Sequence, residues 1–189
     1  MKTTILKVNI NDISPQFFQD LKDNFGKTAQ VEIRVEETKH GEGLFSETQF
    51  WGVIDLLDWA KKDRSEIVAP AVSGLSRMPI ASIYLFKDML SEKLYQLDTR
   101  QHAEGYLQKQ EDNYLSADDF LYVRCAVVAE GKAYYEEILN NPSAMPAEID
   151  FEHLLSLADD AYKLKTNREF NYFPIFNYET QSNIEGWKN

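Results

Sequence analysis

The stretch FLYVRCAVVA (120–129) sets one cation, Arg124, among nine apolar or aromatic residues. On a helical wheel stepping about 100° per residue, Ala117, Phe120, Leu121, Val127, Val128, Gly131 and Tyr135 surround it. The nearby acids Asp118, Asp119, Glu130, Glu136 and Glu137 turn to the opposite side. An unpaired guanidinium is too costly to keep in an apolar core, so a negative group must reach Arg124 from elsewhere. Two chemistries answer that need. In one, a carboxylate of another helix pairs with it; Asp58 and Asp88 are the candidates, each bordering the apolar stripe of its own segment. In the other, Arg124 faces a helix-lined pocket and grips a small anion bidentately. Trp51 and Tyr135 would then be walls, Gly131 would leave room for close approach, and Lys132 would stand at the edge. A third outcome is that the guanidinium snorkels to the surface.

Other chemistry is absent at the level of motif. His40, His102 and His153 are far apart, and none sits in a metal-ligand spacing. Glu152, His153, Asp159 and Asp160 share a segment but split between flanks, as a solvated face does. There is no GxSxG, GxxxxGK[ST] or GxGxxG. HGEG (40–43) does not open directly onto a helix and reads as a hinge. Cys125, the single cysteine, sits among apolar residues with no neighbouring His and reads as inert packing. No cofactor and no metal are implied.

The elements that must position Arg124 are mostly helical. Ser46 and Gln49 fit a capping box ahead of the stripe Phe50, Val53, Ile54, Leu57. Pro70 breaks or kinks segment 63–78. Pro79 opens a longer helix through about Leu97. Residues 99–113 are polar, with no clear element. Ser116, followed by Asp118 and Asp119, starts a helix predicted to run to about Leu139. NNPSAMP (140–146) ends it, and Asp150 caps a last helix with Phe151, Leu154, Leu155, Ala158 and Tyr162 inward. The tail FNYFPIFNYE (170–179) is too aromatic to lie free in water and should pack as an extended segment.

Ahead of these helices, TTILKVNI (3–10) and VEIRVEE (31–37) alternate as strands do, around a helical segment at 14–26. The expected fold is therefore α+β, mainly α: a small β-α-β unit over 1–45, then a helical bundle over 46–189.

Lys plus Arg number 20 against 31 Asp plus Glu, a net charge of −11. That balance opposes phosphate binding, so nucleic acid is not an expected direct partner. It suits solubility or a basic protein partner. No uncharged apolar run approaches the roughly 20 residues of a membrane span. MKTTILKVNINDISPQ lacks the apolar core of a signal peptide. With a lone cysteine, these features lead to the expectation of a cytoplasmic protein.

The segments ETQFWGVID (47–55), SADDFLYVRCAVVAEGKAYYEEILNNP (116–142) and DFEHLLSLADDAY (150–162) carry a family resemblance. They share Phe50-Trp51, Asp119-Phe120, Arg124, Gly131-Lys132 and Asn141-Pro142 with it. Over about residues 46–165 the chain resembles an uncharacterised bacterial family, domain of unknown function 4240 (DUF4240). The resemblance implies a helical domain and assigns no activity. Taken together, the residues lead to two expectations. The first is a non-enzymatic interaction or regulatory protein, for example an acidic inhibitor or immunity-type protein that masks a basic partner. The second is a binder of a small anionic ligand around Arg124, an enzyme in one version.

Overall fold

The computed structural model describes residues 6, 8, 13–25, 31, 45–111 and 114–188. The chain divides into two units, Met1–Gly41 and Glu42–Asn189.

In the first unit, helix α1 (Pro15–Phe25) starts where Ser14 Oγ accepts from the Phe17 amide at 3.2 Å. None of its residues is buried. No strand occurs among the described residues, so the α+β reading with a β-α-β unit is corrected: the regular elements of those residues are all helical. Apart from Leu6, Val8 and Val31, the segments 3–10 and 31–37 lie outside the described residues, as does the hinge 38–43 with His40. Those three residues are exposed. Alternation marks a strand only when a neighbouring face buries one side of it, and Leu6, Val8 and Val31 are not buried.

The second unit is built from seven helices among its described residues: α2 (Glu47–Ile54), α3 (Arg64–Arg77), α4 (Ile80–Gln96), α5 (Arg100–Leu107), α6 (Ala117–Ala129), α7 (Lys132–Asn140) and α8 (Leu157–Thr166). Single 3-10 turns lie at Pro142–Ala144 and Glu152–Ser156. Local chemistry starts most of them. Ser46 and Gln49 form the reciprocal capping box of α2. Asp63, Thr99 and Ser116 cap α3, α5 and α6 through side-chain oxygens. α5 occupies the polar stretch that has no periodic apolar signal.

Three expected boundaries move. α3 runs through Pro70. Pro70 is exposed, so the carbonyl that loses its helical donor can bond water. The burial of Ile67, Val68, Ala71 and Leu75 holds the helix on both sides of it. The predicted helix 116–139 is two helices, because Gly131 adopts φ 98° and turns the chain between α6 and α7. Asp150 caps nothing; it pairs with Arg64 at the surface.

The core joins Phe50, Ile54, Leu75, Ile83, Phe86, Leu90, Leu94, Phe120, Val127, Ile138, Leu154 and Ala158 in one cluster. α8 packs on α3 and α4, and α6 lies against α4. Gly105 of α5 lets Pro142 come close: a Cβ there would collide with the Pro142 carbonyl oxygen. After Asn167, a left-handed C-cap at φ 55°, the chain has no regular structure to residue 188. From 170 to 180 burial alternates, with Phe170, Tyr172, Phe176 and Tyr178 inward and Phe173 and Ile175 outward. Among the described residues, no helix is long and apolar enough to cross a membrane.

Candidate functional site

α6 places Arg124 at the centre of the second unit. Its first turn carries Asp118 and Asp119 at the positive end of the helix dipole. From Phe120 onward it is buried on nearly every side. Its middle therefore has no route to solvent, and the Arg124 side chain is fully buried.

Three elements answer its charge. Nη1 donates to the Leu94 carbonyl at 2.9 Å, near the C-terminal end of α4, where carbonyls carry partial negative charge. Nη2 donates to Thr180 Oγ1 at 2.9 Å. Asp98, just past α4, holds Oδ1 4.0 Å from Nη1. The Phe120 ring lies 4.9 Å beneath the guanidinium. Nε is buried without a hydrogen-bond partner. Burial pushes the guanidinium below the ordinary arginine value, and Asp98 acts in the opposite direction.

Asp98 is itself fully buried. It accepts from the Gln181 amide and from Trp187 Nε1 through Oδ1, each at 3.0 Å. Through Oδ2 it accepts from the Asn183 amide at 3.0 Å and Ser182 Oγ at 3.4 Å. His102 completes the neighbourhood. Its Nε2 meets the Ile138 carbonyl at 3.2 Å and its Nδ1 meets Thr99 Oγ1 at 2.7 Å. A carbonyl only accepts, so Nε2 carries the proton and Nδ1 of the neutral ring accepts from Thr99. Burial lowers the His102 pKa, and Arg124 lowers it further.

The other expected site residues lie elsewhere. Trp51 and Tyr135 do meet, with ring centroids 5.4 Å apart. What fills the space beside them is Lys93, whose Nζ lies 6.0 and 5.4 Å from the two centroids and 2.9 Å from Glu47. The Tyr135 hydroxyl donates to Gln96 at 2.5 Å. Gly131 is a turn residue, and exposed Lys132 faces Glu136 at 3.6 Å. Asp58 accepts from the Ala60 amide at 3.2 Å. Asp88 accepts from the Tyr172 hydroxyl at 2.8 Å and the Ile175 amide at 3.0 Å. Neither of these two acids is the carboxylate that faces Arg124.

Asp98, Thr180 and His102 were not singled out by sequence. Asp98 belongs to no apolar stripe, and its donors lie more than 80 positions downstream. The one available signal was Arg124 itself, which demanded an acid without specifying which. Burial pushes the Cys125 thiol up to about 12. Among the described residues, no group of three or more His, Cys, Asp or Glu side chains is placed to hold a metal ion. Two shallow depressions of the surface, one lined by Lys109 and Pro146–Ile149 and one by Gln101, Glu104, Gly105, Gln108 and Asn141–Ser143, are not lined by Arg124.

Residues 45–164 match the model of a family described as "Protein of unknown function (DUF4240)". No curated protein and no solved structure matches the chain.

Proposed function

We propose, for a chain that belongs to the DUF4240 family, the role of a non-enzymatic protein-interaction module that docks on a basic protein, in the manner of an acidic inhibitor or immunity-type protein. The observation that carries this reading is an anchored, exposed apolar pair on a strongly acidic chain. Phe173 and Ile175 are 91% and 75% exposed. They stand on a segment that Asp88 holds by the Ile175 amide and the Tyr172 hydroxyl. Glu169 and Glu179 flank that segment in sequence, and the chain as a whole carries a net charge of −11. Exposed apolar anchors on a chain of this charge suit a partner that offers apolar sockets among lysines and arginines. A cytoplasmic setting belongs to the same proposal.

The alternative, a small anion gripped by Arg124, has less support. Both Nη atoms are taken by the chain's own groups, and the side chain has no exposed surface.

Affinity capture from the native host should return one basic protein at fixed stoichiometry. Titration with that purified partner should weaken as salt rises. Phe173→Ser with Ile175→Ser should weaken it at least tenfold. Recovery of chaperones and abundant enzymes alone would count against the reading, as would a partner indifferent to both salt and the double substitution.

A further inference from the structure

From the way the C-terminal segment is seated, we infer that residues 168–188 are a releasable strap, an intramolecular ligand filling a peptide-docking groove along α4. This holds whether or not a basic partner exists.

The groove and its occupant are distinct in kind. The family match ends at residue 164, and the strap follows, beyond the left-handed turn at Asn167. The strap runs parallel to α4. Phe170 and Tyr172 pack on Tyr84, with ring centroids 4.9 and 4.8 Å from it. Tyr172 and Ile175 bond Asp88. Phe176 lies 5.2 Å from Tyr95. Asn183 Nδ2 donates to the Tyr95 carbonyl at 3.1 Å, and residues 181–187 gather on Asp98.

The anchors that the helical domain offers are mostly side chains: the carboxylates of Asp88 and Asp98, the guanidinium of Arg124 on Thr180, and the Arg100 guanidinium on the Trp187 carbonyl. Such a set recognises an extended peptide by its amides, with aromatic side chains at alternate positions supplying the apolar contact. A segment held this way, with no helix or strand of its own, belongs to the class of units that open at lower free energy than the core. Opening would bare Asp98 and Arg124 together.

The test uses the full chain. Native-state hydrogen exchange should show the Ile175, Gln181 and Asn183 amides opening as one unit, faster than the amides of α4 and α6. A fluorescent peptide with the sequence of residues 168–188 should bind the wild type weakly, since its site is occupied in cis. Trp187→Ala alters the strap and leaves the groove intact, so it should raise apparent affinity for that peptide at least tenfold. Adding Asp98→Asn should abolish the gain. The inference is overturned if the strap amides exchange only with global unfolding. It is equally overturned if folded Trp187→Ala binds the peptide no better than wild type. Should Trp187→Ala fail to fold, the exchange pattern of the wild type decides alone.

Discussion

Arg124 and Asp98 face each other 4.0 Å apart with no side-chain surface exposed on either, and both hold the same downstream segment. Arg124 takes Thr180. Asp98 takes Gln181, Ser182, Asn183 and Trp187. The pair is thus a buried clamp as well as a charge pair, and its two halves are unequally replaceable.

Removing Asp98 orphans its four donors and takes the facing carboxylate from the buried guanidinium, so Asp98→Ala should cost about 3–5 kcal/mol. Arg124→Met leaves Asp98 its four donors and refills the apolar space; it should cost about 1–3 kcal/mol, the loss at the Leu94 carbonyl and Thr180. Urea titrations give both values. Equal losses, or the reverse order, would contradict the clamp.

Glycines separate three physical effects. A Cβ at Gly105 would run into the Pro142 carbonyl oxygen, so Gly105→Ala should destabilise by about 1–3 kcal/mol. At Gly131 the φ of 98° makes alanine strained, at about 1–2 kcal/mol. Gly52 lies exposed within α2, and a Cβ there would have no neighbour within 4 Å, so Gly52→Ala should stabilise by roughly 0.5–1 kcal/mol. The sign of each change in denaturation midpoint is the readout, and a stabilised Gly105→Ala would refute the close approach.

His102 makes stability depend on pH. Its folded-state pKa is lowered by burial, so the unfolded chain binds the proton more readily. Stability is then highest above the unfolded value of about 6.5 and falls as pH drops below it toward the folded value. His102→Gln should remove that slope between about pH 6.5 and 5. A wild-type profile that rises on acidification through this window, with the variant parallel to it, would contradict the neutral buried ring. Asp88, raised by burial, acts with the opposite sign nearer the carboxylate range. The comparison of variant with wild type therefore isolates the histidine.

Cys125 is buried and its thiol is pushed up to about 12, so almost no thiolate exists at about pH 8. A thiol-reactive disulfide reagent should leave the native protein unlabelled for as long as it stays folded and label one thiol per chain in denaturant. Rapid stoichiometric labelling of the native chain would show the core open at α6.

Local chemistry was legible wherever a residue acts on neighbours within one turn. The capping box at Ser46 and Gln49, the cap at Ser116, and the start of α4 after Pro79 could be read from spacing alone, because such bonds span three or four positions. In the aromatic tail Phe170, Tyr172 and Phe176 meet rings of α4 while Phe173 and Ile175 stay exposed. The predicted strands fail on the same logic: period-two alternation offers a face but cannot supply what buries it, and Leu6, Val8 and Val31 stay exposed. Gly131 looks like a helix interior in sequence; only its backbone conformation reveals a turn.

The amino-acid sequence by itself placed Arg124 among apolar neighbours and required a negative group to meet it wherever it is buried, since burial of a lone guanidinium is prohibitive whatever the fold. Which group answers was decided by tertiary structure. Asp98 wins over Asp58 and Asp88 because the end of α4 and the returning C-terminal segment enclose it beside Arg124. Contacts that close over more than 80 residues depend on how whole helices pack, and that leaves no periodic trace along the chain.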